Sequence, residues 1–245
     1  MRIAIISGAS AGIGKAITKE LDSLGLDELL LIGRNKNKLD ILEGELSTKT
    51  KCLYLDLTVT SSFSSIASYL SNGSYSVEYL IASAGIGYTG ALENNTAEEI
   101  ANTVDLNCRG LTLLINTVLP FMCNGGRILN VASGAGFLPQ PDFAVYAATK
   151  AYVISLSRAL RCELKPKKIT VTALCPGPVD TEFFSGLKNV KDYKKKYLIS
   201  PERVAKKGVR AMLKGKAVCA PTLSMKLLHL CAKILPTSLL LKFSK

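Results

Sequence analysis

The 245-residue chain has no tryptophan, only one histidine (His229) and no cysteine pair spaced CxxC. A lone histidine without a neighbouring carboxylate argues against a Ser/His triad and against a metal site, so no metal is expected. His229 itself reads as a helix-surface residue. The seven cysteines, at 52, 108, 123, 162, 175, 219 and 231, are odd in number and scattered. That excludes a disulfide framework and fits buried thiols in a reducing compartment. No apolar run approaches 18 residues, and the start of the chain lacks the length and cleavage site of a signal peptide. The expectation is a soluble, cytoplasmic protein. With 19 glycines and 9 prolines the chain is no fibrous protein, and 48% apolar side chains is too many for a disordered one.

Acidic residues are scarce in one region only. Residues 1–184 hold 16 basic and 17 acidic side chains, whereas residues 185–245 hold 15 and 2. The whole formal excess of +12 therefore sits in the last quarter. A basic tail of this kind attracts nucleic acid, anionic lipid or an acidic protein, or else it is a solvated lysine-rich surface.

What is present is an alternation. Short apolar runs at 2–7, 28–33, 51–56, 77–82, 126–132, 169–175 and 217–220 read as strands. Segments with helical spacing lie between them, at 12–24, 36–47, 60–70, 97–122, 146–164 and 202–214. Gly25 stands where a helix-ending glycine is expected, and Thr96-x-x-Glu99 forms a candidate capping box. Strands separated by helices of this length imply right-handed crossovers and a mostly parallel sheet with helices on both faces. The predicted fold is doubly wound α/β, a Rossmann fold, in a single domain over residues 1–245.

Directly after the first strand comes Ser7-Gly8-Ala9-Ser10-Ala11-Gly12-Ile13-Gly14, running into a helix. Glycines allow a tight turn and a close approach to a diphosphate, and the helix start offers free N–H groups. Its place between strand and helix gives the cluster its meaning. The second strand ends in Gly33-Arg34-Asn35-Lys36, with no carboxylate until Asp40 to hold a ribose 2′-hydroxyl. Arg34 suits a 2′-phosphate instead, Lys36 and Lys38 add charge, and Ser10 offers a hydrogen bond. NADP is therefore expected ahead of NAD.

Ser133 ends the fifth strand, and Tyr146 and Lys150 follow at i and i+4 on one helix face. A free tyrosine titrates near ~10, and bringing it near ~7 requires about 4 kcal/mol of differential stabilisation, which a neighbouring ammonium would have to supply. Tyr146 could then exchange a proton with an alcohol or carbonyl oxygen that Ser133 also holds. Ser133 without a histidine is unsuited to hydrolysis.

With these motifs in order, the chain resembles the short-chain dehydrogenase/reductase superfamily, in its single-domain form, over nearly its whole length. Ser7-Gly8-x-x-x-Gly12-x-Gly14 is similar to the family's TGxxxGxG. Ala84-Gly85 matches the end of NNAG, with Ala82 and Ser83 replacing the two asparagines that brace the central strand. The resemblance implies that Asp56 and Leu57 contact adenine, and that Asn107 is catalytic, holding a water that links to Lys150. It implies that Pro176, Gly177, Val179 and Thr181 belong to the segment at the nicotinamide, with Cys175 standing where the family usually has Asn. Gly8, Ser10, Gly12, Ile13, Gly14, Arg34, Ala84 and Gly85, with Tyr146 and Lys150, complete the implied cofactor site. In the implied mechanism NADPH delivers hydride to a carbonyl carbon, Tyr146 protonates its oxygen, Ser133 polarises that oxygen and Lys150 lowers the tyrosine pKa. Cys108 and Cys175 read as buried structural thiols.

The substrate end is least legible. By the resemblance, residues 183–200 form the substrate-covering loop, with the basic aromatic run Tyr193-Lys194-Lys195-Lys196-Tyr197 inside it. Residues 183–245 as a whole supply this loop and the C-terminal helices. In Leu223–Leu235, Lys226, His229 and Lys233 form one polar stripe, and Leu223, Leu227, Leu230, Cys231 and Ile234 are apolar. Three roles fit: the wall of an apolar pocket, a contact in a homo-oligomer, or a membrane surface. The leading functional expectation is an NADP-dependent oxidoreductase of apolar ketones or alcohols (acyl, aliphatic or steroid-like), with no nucleic acid partner. A non-catalytic NADP-binding regulator and a peripheral membrane protein are the alternatives, and an acidic carrier of the substrate is a candidate partner of the basic tail.

Overall fold

The computed structural model describes residues 1–187 and 198–242, so the run Tyr193–Tyr197 lies outside the described residues. Seven strands form one parallel sheet: β1 (Arg2–Ser7), β2 (Glu28–Gly33), β3 (Thr50–Tyr54), β4 (Ser76–Ala82), β5 (Met122–Val131), β6 (Thr170–Leu174) and β7 (Val218–Cys219). Their order is β3-β2-β1-β4-β5-β6-β7. The fold is the doubly wound α/β arrangement expected. Its helices are α1 (Gly12–Leu21), α2 (Lys36–Gly44), α3 (Ser61–Ser71), α4 (Ala97–Val104), α5 (Leu111–Val118), α6 (Ala144–Glu163), a short α7 (Glu182–Ser185), α8 (Pro201–Leu213), α9 (Leu223–Ile234) and α10 (Thr237–Lys242).

Both faces of the sheet are covered because successive strand residues point to opposite sides. In β1 and β2, Ile3, Ile5, Leu30 and Ile32 join Phe63 and Ile66 of α3, Leu114 of α5 and Val153 of α6 in one core. Ala4, Ile6, Leu29 and Leu31 face the other way, onto Ile17 of α1, Leu39 of α2 and Val204 of α8. Neither layer has a polar side to spare, which is why these strands read as unbroken apolar runs. β1 has β2 on one side and β4 on the other. The winding therefore reverses there, and a crevice opens beyond the carboxyl ends of these strands.

Several boundaries differ from the sequence reading, three of them with an evident physical setting. The helix expected over 97–122 is α4, then a π-helical turn at Asp105–Gly110, then α5 and a 3₁₀ turn at Leu119–Phe121. The wider turn carries Asn107, fully buried, toward the sheet. β5 begins at Met122 rather than 126, because Met122 pairs with Val77 across a register shift. Gly125 supplies the left-handed backbone there (φ +84°). α1 stops at Leu21, since the Asp22 carboxylate accepts the Ser47 and Thr48 N–H groups instead of letting the helix run on. Gly25, with φ +67°, lies beyond that turn and does not cap the helix directly. The capping box at Thr96 and Glu99 is formed as expected.

Candidate active site

At the end of β1 the chain turns so tightly that side chains are excluded. Gly8 has φ +66°, and a Cβ there would lie 2.7 Å from the Ala84 nitrogen. A Cβ on Gly14 would lie 2.0 Å from the Gly8 carbonyl oxygen. α1 then starts from Ala11 with no side-chain cap. Asn35, Thr96, Ser200 and Thr222 each accept a first-turn N–H at the starts of α2, α4, α8 and α9, whereas α3 and α6 start, like α1, without a side-chain cap. The open helix start and the missing Cβ atoms are what a bound diphosphate requires, so this turn fits a dinucleotide. Ser7 contributes from behind: its Oγ accepts the N–H groups of Ser83 (3.1 Å) and Ala84 (3.3 Å). It thereby braces β4 where the two family asparagines are absent.

Arg34 and Asn35 follow β2 at the rim. Arg34 is largely exposed, 3.5 Å from Asp56 Oδ2. Burial alone would raise the Asp56 pKa, but hydrogen bonds from the Thr58 N–H and hydroxyl (2.8 Å each), with Arg34, hold it below the usual range. Lys38 reaches across the cleft mouth to Glu182 of α7, at 2.6 Å. Lys36 does not join them, because its ammonium lies over the Tyr54 ring, 5.5 Å from the centroid.

Ser133, Tyr146 and Lys150 meet beyond the ends of β5 and β6. Ser133 caps a 3₁₀ turn (Gly134–Phe137), its Oγ accepting the Ala135 N–H at 3.1 Å. Tyr146 and Lys150 share the inner face of α6, both buried, with the ammonium 5.5 Å from the ring centroid. Lys150 Nζ donates to the Val131 carbonyl at 2.9 Å. The electrostatics differ from expectation. Burial pushes Tyr146 up to about 12, opposed by a hydrogen bond with Ser133, and pushes Lys150 down to about 8. Both groups are driven toward neutrality, because burial removes each charge from water and outweighs the groups that oppose it, Ser133 for the tyrosine and Cys108 and Cys175 for the lysine. The phenol thus keeps its proton at pH 7.

Asn107 stands, fully buried, in the π-helical turn before α5. It lies behind the cleft, its Oδ1 accepting from the Ile86 N–H (2.9 Å) and its Nδ2 donating to the Ile86 carbonyl (2.8 Å) and Thr149 Oγ1 (3.0 Å). Gly85 stands in front, and a Cβ there would lie 3.2 Å from both Asn107 Oδ1 and Lys150 Nζ. Asn107 thus ties the strand-end loop to α6.

One cleft of about 1820 Å³ joins these parts. Gly8, Ser10, Gly12, Ile13, Gly14, Arg34, Asp56 and Leu57 line one end of it, and Ala84 and Gly85 its floor. Pro176, Gly177, Val179 and Thr181 line it beside Ser133, Tyr146 and Lys150. Some lining residues were not foreseen. Phe143 stacks on Tyr146 (4.3 Å between centroids) and Phe183 tilts against it (5.4 Å). Phe183 opens the expected substrate-covering loop, whereas only nearness in sequence to Tyr146 could have signalled Phe143. Leu138, Phe184, Leu223, Met225, Leu228 and Leu240 make that end apolar. Cys175 is fully buried, its thiol pushed up to about 12, and burial also raises Cys108, as inert structural thiols require. His229 is not a plain surface residue: it stacks on Phe137 (4.5 Å) and meets Arg158 at 3.3 Å. Asp40, Glu43 and Cys52 bring ligand-type atoms within 4.8 Å of one another away from the cleft, but the Tyr54 hydroxyl already donates to Asp40 at 2.6 Å.

A family described as short chain dehydrogenase matches residues 2–191. The chain belongs to that family. Its members are dehydrogenases and reductases acting on CH–OH and carbonyl groups, and this chain is such an enzyme. Among its relatives is an uncharacterised oxidoreductase of Staphylococcus epidermidis, 32% identical over 187 residues, covering 76% of this chain and 81% of that one. A short-chain dehydrogenase from Sphingobium yanoikuyae, solved with NADPH, superimposes with a TM-score of 0.81 at 28% identity, over 91% of this chain and 89% of the other. The bulky-bulky ketone specific alcohol dehydrogenase of Comamonas testosteroni gives a TM-score of 0.77 at 27% identity, over 91% and 87%.

Proposed function

We propose that this short-chain dehydrogenase prefers NADP(H) and interconverts an apolar ketone and its secondary alcohol. One observation carries the reading: Ser133, Tyr146 and Lys150 converge at the apolar end of a cleft whose other end is the glycine turn beside Arg34. Bound there, the dinucleotide supplies or accepts the hydride.

The chain's own residues do the rest. The α1 start and the turn Gly8–Gly14 hold the diphosphate. Arg34, largely exposed and 3.5 Å from Asp56, would be free to hold a 2′-phosphate. Asp56 and Leu57 would hold the adenine end, and Val179 and Thr181 the nicotinamide end, of the cleft they line. Tyr146, protonated at neutral pH, is already in the form a general acid needs for carbonyl reduction, and gives its proton to the carbonyl oxygen as charge builds there. Ser133 donates to the same oxygen and fixes its direction. Lys150, with a pKa near 8, is charged at pH 7 and stabilises the phenolate left behind. Asn107 keeps α6 and the Gly85 loop in register. Phe143, Phe183 and the leucines exclude water, which favours a bulky apolar substrate. The NADPH of the Sphingobium neighbour and the bulky ketones of the Comamonas one support the same choice.

The test is cofactor consumption against a panel of aliphatic, aromatic and steroid-like ketones, with NADPH and NADH in parallel. Turnover of bulky ketones with NADPH well ahead of NADH is expected. Nicotinamide binding without turnover of any carbonyl would leave a regulator on the same fold, and turnover of small charged carbonyls alone would overturn the substrate class.

A further inference from the structure

α9 has two apolar faces, and the enzyme uses only one. Met225 and Leu228 point inward to the cleft, where Met225 lies against Gly134 and Gly177 beside Ser133. Leu223, at the cleft rim, and Leu227, Leu230 and Ile234, which point the other way, are 82%, 59%, 53% and 69% exposed. At i, i+4, i+7 and i+11 they make one continuous stripe along the helix. Leu235, just beyond α9, and Leu239 of α10 are 39% and 41% exposed. Four or more large aliphatic side chains in a row on a surface mark an interaction site rather than ordinary scatter.

The charge around the stripe selects its partner. Lys226 and Lys233 lie roughly a quarter turn around the helix from the leucines, where ammonium groups at the edge of a buried face reach the polar boundary. No acidic residue occurs after Glu202 in the sequence, and residues 185–245 carry 15 basic against 2 acidic side chains. A second copy of the chain docked on this stripe would bring two such basic regions together. An anionic bilayer meets both features at once, accepting the leucines into its acyl boundary and the lysines at its headgroups.

We propose that α9 and α10 seat the enzyme on an anionic membrane surface, with the stripe buried in the interface and the cleft mouth beside it. It lies on the membrane and does not cross it, since no helix among the described residues is long and apolar enough to span one. Leu223 belongs both to the stripe and to the cleft lining, so the two surfaces are continuous. An apolar carbonyl dissolved in the lipid would then pass to Tyr146 with little exposure to water. That last step rests on the apolar-substrate reading, whereas the docking itself does not.

The experiment is flotation of the full-length protein with vesicles of phosphatidylcholine alone or with about a third phosphatidylglycerol, at 0.1 M and 1 M salt. Binding to the phosphatidylglycerol vesicles, weakened at high salt as the Debye length falls from ~10 Å to ~3 Å, is expected. Leu227→Gln with Leu230→Gln should reduce partitioning at least about tenfold, as loss of two buried aliphatic side chains requires. Lys226→Gln with Lys233→Gln should reduce it about fivefold per lysine on the anionic vesicles and little on the neutral ones. None of these four residues touches Tyr146 or the glycine turn, so turnover of a water-soluble ketone should stay at the wild-type level. Failure of the wild type to float with either vesicle overturns the proposal even if the oxidoreductase reading stands. So does a dimer in solution that the leucine variant dissociates, or vesicle binding that the leucine variant retains in full.

Discussion

Helices α1 and α9 are similar in length and opposite in use. α1 buries five of its ten residues, among them Ile17 and Leu21, whereas α9 buries none of its twelve. α1 begins without a side-chain cap, and Thr222 caps α9. A missing cap costs about 1 kcal/mol, which is tolerated where a bound anion completes the helix start. An unburied apolar face is likewise tolerated where something outside the fold covers it. In α1 the end is left open and the face is filled; in α9 the end is filled and the face is left open. The partner proposed for each helix, a diphosphate for α1 and a bilayer for α9, would meet the feature that is left open.

The contrast can be broken or sharpened at particular residues. The largest effect is expected at the end of the cleft that α9 walls. Tyr146→Phe removes one hydroxyl and keeps the ring between Phe143 and Phe183, so kcat for ketone reduction should fall by about 10²–10⁴ while NADPH affinity holds. Retention of more than about a tenth of the rate would remove Tyr146 as the proton donor.

Gly14→Ala sets the two helices against each other directly. Its Cβ would meet the Gly8 carbonyl oxygen at 2.0 Å, so the turn must open. Loss of about 1–3 kcal/mol in denaturant unfolding is expected, together with loss of dinucleotide binding. Leu227→Gln on the exposed face of α9 should stay within about 0.5 kcal/mol of wild type. Equal destabilisation by the two would show that the α9 stripe is covered within the folded chain.

Arg34→Ala should lower NADP affinity about 10- to 100-fold, as a charge-assisted hydrogen bond of about 1.5–3 kcal/mol implies, and leave NAD affinity nearly unchanged. Calorimetric titration with both dinucleotides reads it. An unaltered NADP preference would transfer the role to Lys38, which is held by Glu182 at 2.6 Å.

The smallest effect concerns the seat of α9. Burial first, then Lys233 and Arg158, lower the His229 pKa. Its protonated form is thus disfavoured in the folded protein, and the unfolded chain binds the proton more readily. Stability should be constant above the ordinary histidine value near 6.5 and fall as pH drops through it. Thermal unfolding between pH 7.5 and 5.5 should show this step in the wild type and lose it in His229→Gln. An unchanged profile in the variant would assign the step to other groups.

The strands were legible because both faces of the sheet are covered, which writes β1 and β2 as plain apolar runs between glycines. The glycine turn and the Tyr146–Lys150 pair were legible for a similar reason: each is local, a few residues whose spacing alone brings them together. The break in the helix over 97–122 was not legible. A π-helical turn needs no proline or unusual composition, and Asn107 selects it only by reaching Ile86 and Thr149 from other elements. The end of α1 was also hidden, because Asp22 leaves the helix for Ser47 and Thr48 of a distant loop.

The sequence by itself determined the alternation of strand and helix, the open turn at Gly8–Gly14 and the presence of Ser133, Tyr146 and Lys150 in one short stretch. Only the tertiary structure decided which charges those residues carry and which surfaces remain uncovered. Tyr146 is pushed up to about 12 because burial in the fold outweighs the hydrogen bond with Ser133 that lowers it. Lys36 and Lys38 are neighbours in sequence, yet one lies on Tyr54 and the other reaches Glu182. The apolar residues of α9 are alike in the sequence, and packing against the turn after Ser133 sorts Met225 and Leu228 inward and Leu227 and Leu230 outward. Periodicity along a chain is a local property, but burial and electrostatics are sums over neighbours that the chain supplies from far away.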